Sequence, residues 1–203
     1  MKTVLAIGAH PDDIEIDCAG TISREIDRGN EVFFYIVTKG NLGGDPLLRK
    51  EEAIRSAELL GVKEIIFEDL EDCSLRYDRN SIGKIIRMIK EINPYRIYSH
   101  SEKDPSPDHL EVGRATLLGS RNVLEIFTYR GSPYYTGFNP NCFVDISEYL
   151  RIKELALLKF ESQNAKDQFG LDYITANAIY YGRMSNSGIK YAEAFEIVKK
   201  VRL

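Results

Sequence analysis

The 203-residue sequence contains few cysteines, the residues that disulfide-stabilised proteins and thiolate zinc sites require. Its three cysteines, Cys18, Cys73 and Cys142, are far apart and include no CxxC pair. This pattern argues against a disulfide framework and against a thiolate zinc site. We expect each cysteine to be a small residue of the core.

Long apolar runs and a basic surface are also missing. No apolar stretch approaches the roughly 20 residues of a membrane span, and the segment after Met1 does not resemble a signal peptide. We therefore expect a protein without a membrane span that stays in the cytoplasm. The 27 Lys and Arg residues are balanced by 31 Asp and Glu residues. Because no basic stripe is interleaved with aromatic residues, we expect no nucleic-acid partner.

The remaining composition is that of an ordinary globular protein. Hydrophobic residues make up 43% and charged residues 29%, and the length fits one compact domain. We expect residues 1–203 to form a single domain, and the sequence leaves open whether its copies form a homo-oligomer. The basic cluster Lys199, Lys200 and Arg202 is predicted to lie exposed on a last helical turn, where cations suit the helix dipole.

Strand-like and helix-like segments alternate along the chain. Predicted strands cover residues 1–8, 32–38, 64–67, 96–100, 123–129 and 143–146. Predicted helices cover residues 18–28, 46–60, 81–92, a segment from about 108, 148–162 and 174–185. This alternation is typical of an α/β fold with a Rossmann-like, mostly parallel sheet and helices on both faces. Ligands of such folds bind beyond the carboxyl ends of the strands, so loops 9–16 and 100–109 are the candidate site loops.

All three histidines of the sequence, His10, His100 and His109, fall in those two loops. His10 and Asp13 are close enough in a tight turn to meet one ion, and His109 completes two histidines and one carboxylate with an open position. That set is typical of a catalytic zinc site. Asp12 cannot share the ion beside Asp13 without strain, which favours a role as general base. The alternative is that these acids only cap helices and turns.

Several motifs together resemble one enzyme family. The segment AHPDDIEIDCAGTI, residues 9–22, is similar to the opening motif of the PIG-L/LmbE-like zinc-dependent N-deacetylases. The other motifs follow in the family's order: TKG at 38–40, Arg49 with Glu52, DPSPDH at 104–109, NPNCFVDIS at 139–147, Lys153, SQ at 162–163 and AEAF at 192–195.

The resemblance implies a function and a set of site residues. The implied substrate is a small N-acetylated sugar of the N-acetylglucosamine type, or a conjugate of it. The implied zinc ligands are His10, Asp13 and His109, with Asp12 as general base. Arg49 is implied to face the substrate or to order a loop; without the resemblance, it would be interpreted as a surface residue paired with a nearby glutamate.

One position departs from the family. The second loop usually contains Asp-x-His-x-Asp-His, and Ser106 stands where the first histidine helps to hold the oxyanion, although its usual partner Asp104 is retained. A serine hydroxyl cannot become cationic, so we expect weaker stabilisation of the transition state from this position. His100 is a candidate substitute for the missing imidazole.

Two rival functions stay open at this stage. The first is a catalytically weak or silent metal-binding protein of the same fold, in which the change at Ser106 has removed turnover. The second is a nucleotide or nucleotide-sugar binding domain that uses the glycine-rich loop 40–44. Neither GxGxxG nor GxxxxGK[ST] is present, which weakens the second rival, and no GxSxG supports a serine hydrolase.

Overall fold

A computed structural model, which describes residues 1–165 and 170–202, shows seven strands and seven helices within those ranges. The strands are β1 (Thr3–Gly8), β2 (Glu31–Thr38), β3 (Glu64–Leu70), β4 (Arg96–His100), β5 (Glu125–Tyr129), β6 (Cys142–Asp145) and β7 (Ala192–Lys200). The helices are α1 (Asp13–Asp27), α2 (Pro46–Leu60), α3 (Arg79–Ile92), α4 (Pro107–Gly119), α5 (Leu150–Leu157), α6 (Glu161–Asn164) and α7 (Leu171–Met184).

The strands form one sheet in the order β3-β2-β1-β4-β5-β7-β6. The first five strands are parallel, and β7 runs antiparallel to both β5 and β6. This confirms the predicted α/β fold with a mostly parallel sheet. Between β1 and β4 the strand order changes direction, because the chain first moves outward to β3 and then returns to the other side of β1. A crevice opens at the carboxyl ends of strands at such a point.

Local sequence explains why individual elements form. Strand β1 is apolar on both faces, with Leu5 and Ile7 fully buried, as expected for a central parallel strand covered on both sides. Helix α2 begins after Asp45, whose carboxylate accepts a hydrogen bond from the Leu47 amide, and ends at Gly61 in the left-handed region. Both ends of that helix lie where the sequence predicts them.

The C-terminal segment differs from the prediction. The basic cluster at Lys199 and Lys200 lies on strand β7 and not on a helical turn, because residues 192–200 pair with β5 and β6 and complete the sheet. The helix predicted over 148–162 is divided into α5 and α6, because the chain bends at Phe160, whose ring is fully buried.

The cysteine prediction is confirmed only for Cys18, which is buried. Cys142 is half-buried, and Cys73 is exposed in the loop after β3 rather than in the core. Among the described residues, no helix combines the length and the apolar character that crossing a membrane requires.

Candidate active site

A tight turn between β1 and α1 brings the first group of candidate residues to the crevice. The backbone amide of His10 donates a 2.7 Å hydrogen bond to Oδ2 of Asp13, the first residue of α1. Asp12, between them, has a φ of 110°, in the left-handed region that a non-glycine residue rarely adopts. Such strain costs on the order of 1–3 kcal/mol and is typical of functional positions.

The predicted metal ligands come together at this turn. Helix α4 supplies His109, and its Nε2 lies 3.3 Å from His10 Nδ1 and 3.5 Å from Asp13 Oδ1. His10 Nδ1 lies 3.2 Å from Asp13 Oδ2. One donor atom from each of the three residues lies within 4.8 Å of the others, which is the spacing that a single ion requires.

Each histidine of this group contacts a buried carboxylate through its other ring nitrogen. His10 Nε2 lies 3.2 Å from Asp108 Oδ2, and His109 Nδ1 lies 3.2 Å from Asp104 Oδ2. Carboxylates accept hydrogen bonds, so these outer nitrogens carry the protons. The inner nitrogens, His10 Nδ1 and His109 Nε2, face each other and the Asp13 carboxylate, an arrangement that a cation between them stabilises. The donor set therefore fits a divalent metal ion.

The ionisation of these groups is that of a centre that attracts positive charge: the raised pKa values favour protonated histidines in the metal-free protein, and a bound metal ion would replace the protons on their inner nitrogens. Burial lowers the pKa of His109, but Asp13 and Asp104 outweigh it and raise the pKa to about 9. Burial likewise lowers the pKa of His10, and Asp13 and Asp108 raise it well above its ordinary value. Burial raises the pKa of Asp13, yet His109, His10 and His100 hold that pKa well below the ordinary value. Asp13 is therefore a carboxylate, ready to bind a cation.

Two other groups of described residues meet the same distance criterion. They are His100, Asp104 and His109, and His10, Asp72 and Asp108. In each group one carboxylate, Asp104 or Asp72, accepts backbone hydrogen bonds on both oxygens, whereas the backbone amide that Asp13 accepts occupies only its Oδ2; each group also shares a histidine with the first. The group of His10, Asp13 and His109 is therefore the best candidate metal centre.

Asp12 contacts Arg49 of helix α2. The Arg49 Nη2 atom donates a 2.7 Å hydrogen bond to Asp12 Oδ2 and a 2.6 Å hydrogen bond to the carbonyl of Pro11. Burial raises the pKa of Asp12 to about 7, and the Arg49 cation opposes that rise. A carboxylate with this pKa is matched to proton transfer near neutral pH.

Arg49 also supports the glycine-rich loop. Its Nη1 donates a 2.7 Å hydrogen bond to the carbonyl of Gly40. A Cβ atom at Gly40 or Gly43 would overlap that same nitrogen, so the loop needs glycine at both positions to pack over the guanidinium. The amides of Gly40 and Leu42 donate to the Asp72 carboxylate. The Gly43 amide donates to the carbonyl of Gly40, so three amides of this loop already have partners within the protein, which argues against a phosphate cradle.

His100 lies beneath the candidate metal ligands instead of facing the crevice. It is fully buried, its ring stacks on His109 with centroids 3.8 Å apart, and its Nε2 lies 3.0 Å from Asp13 Oδ2. Burial and the neighbouring His109 lower the pKa of His100 to about 4, so the ring is neutral. A substrate in the crevice cannot reach it, which is not the position expected of a substitute for the family's histidine.

Asp104 contacts one candidate metal ligand and the neighbouring loop. Besides contacting His109, its carboxylate accepts hydrogen bonds from the amides of Ser106 and Ser132 and from the Ser132 hydroxyl. Gly131 lies against these groups with a φ of 67°, and a Cβ there would overlap Asp104 Oδ2. The structure thus places Asp104 beside His109, a predicted metal ligand, and beside the backbone of Ser106.

Ser106 lies at the entrance of the site as the N-cap of α4. Its side chain caps no helix amide and makes no hydrogen bond to any residue within the described ranges. It lines an open cleft of about 450 Å³ together with the candidate metal ligands. Asp12 and Arg49 line the same cleft, and so do Leu42 and Tyr134 on its lips.

Sequence reasoning missed two residues that contact the candidate ligands. Asp108 directly precedes His109, and its place in the PDH tripeptide was the one available signal. Ser132 follows β5 and has no motif around it, so only the folded chain reveals its contact with Asp104.

Comparison with known proteins finds deacetylases that are similar to this chain. Diacetylchitobiose deacetylase from Thermococcus kodakarensis is 33% identical over 235 aligned positions, which cover 100% of this chain and 85% of that protein. An uncharacterized deacetylase, YaiS, from Escherichia coli is 31% identical and covers 79% of this chain and 91% of its own length. The structure of N,N'-diacetylchitobiose deacetylase from Pyrococcus horikoshii superposes with a TM-score of 0.85 at 27% identity, covering 97% of this chain and 84% of that one.

The sequence also matches a family pattern over much of its length. The family described as PIG-L: GlcNAc-PI de-N-acetylase matches residues 5–118, the segment that contains every candidate ligand and the candidate base. The chain therefore belongs to the PIG-L family.

Proposed function

We propose that this protein is a zinc-dependent hydrolase that removes the N-acetyl group from an amino sugar of the N-acetylglucosamine type, or from a conjugate of such a sugar. The observation that carries the proposal is the placement of Asp12 beside the group of His10, Asp13 and His109 in one open cleft. A base with a pKa near neutrality next to a three-ligand metal centre is what hydrolysis of an amide requires.

Zinc suits the proposed ligands, because two imidazole nitrogens and one carboxylate leave a fourth position open. When bound there, the ion lowers the pKa of water and polarises the acetamide carbonyl. Asp12 takes the proton of the attacking water. Its Oδ2 is held by Arg49, so Oδ1 is the oxygen available for this transfer. Asp12 then returns the proton to the sugar nitrogen as the carbon–nitrogen bond breaks, which releases acetate and an amine.

In this proposal the other predicted site residues position the base and the metal ligands or contact the substrate. Arg49 holds Asp12 and the loop over it, and His100 supports Asp13 from below. Ser106 is the side chain we assign to the carbonyl oxygen of the substrate, because its hydroxyl lines the cleft. A neutral hydroxyl stabilises an oxyanion less than an imidazolium does, so we expect turnover to be modest and not absent.

A screen of N-acetylated sugars tests the function. The purified protein is incubated with N-acetylglucosamine, with N,N'-diacetylchitobiose and with N-acetylglucosamine conjugates, and released acetate and free amine are measured. We expect equal amounts of both products, loss of activity after chelation, and recovery on addition of zinc. Stoichiometric zinc without any product would favour the silent metal-binding protein. A protein that binds no divalent metal would overturn the proposal.

Ser106→Ala tests the assignment of the carbonyl-binding group within the same assay. Since the hydroxyl is one of few donors at the cleft, we expect kcat to fall about tenfold, less than for a full oxyanion-hole donor. An unchanged kcat would show that another group contacts the carbonyl oxygen.

A further inference from the structure

Two buried carboxylates contact the candidate metal ligands without being placed to bind the ion themselves. Asp104 is 1% exposed and Asp108 is 2% exposed. Each lies 3.2 Å from the outer nitrogen of one histidine. The two histidines are contacted on different nitrogens, Nε2 in His10 and Nδ1 in His109.

This difference has a chemical consequence. A neutral imidazole carries one proton, and only its unprotonated nitrogen can bind a metal. A carboxylate beside one nitrogen keeps the proton there and leaves the other nitrogen free. His10 then offers Nδ1 and His109 offers Nε2, and these are the two atoms that face Asp13.

We propose that Asp108 and Asp104 are positioning residues that fix opposite tautomers of the two metal-binding histidines, so that His10 binds the ion through Nδ1 and His109 through Nε2. The inference rests on the metal centre of the proposed function. Carboxylates in such positions orient the ring and raise its basicity, and their loss commonly costs about 10- to 100-fold in metal affinity.

Both carboxylates are anchored by the backbone, which explains how they can position a ring. Asp108 Oδ2 also accepts a 2.8 Å hydrogen bond from the Cys73 amide, and Cys73 adopts a left-handed φ of 58° in doing so. Asp104 accepts from the amides of Ser106 and Ser132. Each carboxylate therefore links a histidine to a loop at the edge of the cleft.

The hydrogen bonds predict different effects for different substitutions. Asp104 uses both oxygens as acceptors, so Asp104→Asn must present an amide NH₂ to one of its donors, and we expect a zinc Kd about 10- to 100-fold higher. Asp108 uses only Oδ2, since Oδ1 has no partner among the described residues. Asp108→Asn can keep its oxygen at the Oδ2 position, and we expect an effect below about tenfold, whereas Asp108→Leu removes the acceptor and should cost about 10- to 100-fold.

Zinc affinity is measured by competition with a chromophoric chelator on metal-free protein, with thermal unfolding of each metal-free variant as a check on folding. Glu52→Gln is the matched control, because Glu52 is a fully buried carboxylate that holds Ser162 and contacts no metal ligand. We expect its zinc Kd to stay within about twofold of wild type even if the unfolding temperature falls.

The tautomers are observed directly by long-range ¹H–¹⁵N correlation of the zinc-loaded wild type, which contains only three histidines. We expect a proton on Nε2 of His10 and on Nδ1 of His109. The opposite protonation of either ring, or zinc affinities of Asp104→Asn and Asp108→Leu equal to wild type, would overturn the inference while leaving the metal centre in place. A wild type that binds no zinc would instead contradict the proposed function.

Discussion

The guanidinium of Arg49 donates a 2.7 Å hydrogen bond to Asp12, and both side chains are less than 10% exposed. The two residues are 37 positions apart, on α2 and in the turn before α1. Burial raises the pKa of Asp12, and this cation limits the rise to about 7. The pair therefore controls how much of the proposed base is ionised near neutral pH.

Replacing Arg49 should change the pH profile as well as the rate. In Arg49→Met the cation beside Asp12 is lost, so the pKa of Asp12 rises further and less of the base is ionised at neutral pH. We expect the acidic limb of kcat/KM to move to higher pH and kcat at neutral pH to fall about 10- to 100-fold. Removing one member of a buried pair should also destabilise the fold by about 3–5 kcal/mol. An acidic limb that stays in place would show that Arg49 does not act on the base.

Substitutions of the adjacent residues Asp12 and Asp13 should affect proton transfer and metal binding separately. Asp12→Asn should keep its zinc and lose about 10²- to 10⁴-fold in kcat, because an amide can hydrogen-bond water but cannot take its proton. Asp13→Asn should lose zinc, since Asp13 faces both histidines of the proposed centre. Metal content by atomic emission, beside acetate release, distinguishes the two variants. Equal loss of zinc from both would mean that the roles are assigned wrongly.

The packing of the glycine loop on Arg49 is tested with an alanine. Arg49 is held by three hydrogen bonds and cannot move away from a new methyl group, so Gly43→Ala should destabilise the protein by about 1–3 kcal/mol and reduce kcat. Gly83→Ala in α3 is the control, because a Cβ there meets no atom within 4 Å. That change should stabilise the helix by about 0.5–1 kcal/mol. Urea unfolding of both variants provides the comparison.

Asp17 should make the stability of the metal-free protein depend on pH. It lies on α1 beside a small cavity, and burial raises its pKa from 3.8 to about 8, although Lys153 opposes the rise. Between those values the folded state keeps a proton that the unfolded state has released, so the free energy of unfolding falls as pH increases. The stabilising contribution is complete below the unfolded pKa and is lost as pH rises through about 8.

The matching variant is Asp17→Asn, which cannot titrate. From about pH 5 to about pH 9, wild type should lose about 2 kcal/mol relative to this variant, less than the full linkage value because Asp17 is only half-buried. Urea unfolding at several pH values, with chelator present, measures the difference. Parallel curves for the two proteins would show that Asp17 titrates normally.

The amino-acid sequence by itself determined the elements and the local parts of the site. His10, Asp12 and Asp13 are neighbours in one turn, so their closeness follows from short-range geometry. The caps of α2 likewise depend only on Asp45 and Gly61. The alternation of segments predicts a parallel sheet with its ligands at one edge, and the observed fold confirms the sheet. Hydrogen-bonding caps and apolar strands act over a few residues, which is why a pattern can predict them.

Only the tertiary structure decided which distant groups meet. The pairing of β1 with β4 brings Asp108 to His10 across 98 residues, and it places His100 under Asp13 instead of in the cleft. The loop after β5 brings Ser132 to Asp104 across 28 residues and to His109 across 23 residues. Pairing with β5 likewise places the basic C-terminal segment in a β-strand. These contacts depend on strand order and on the packing of whole elements. A local pattern of residues therefore cannot predict them.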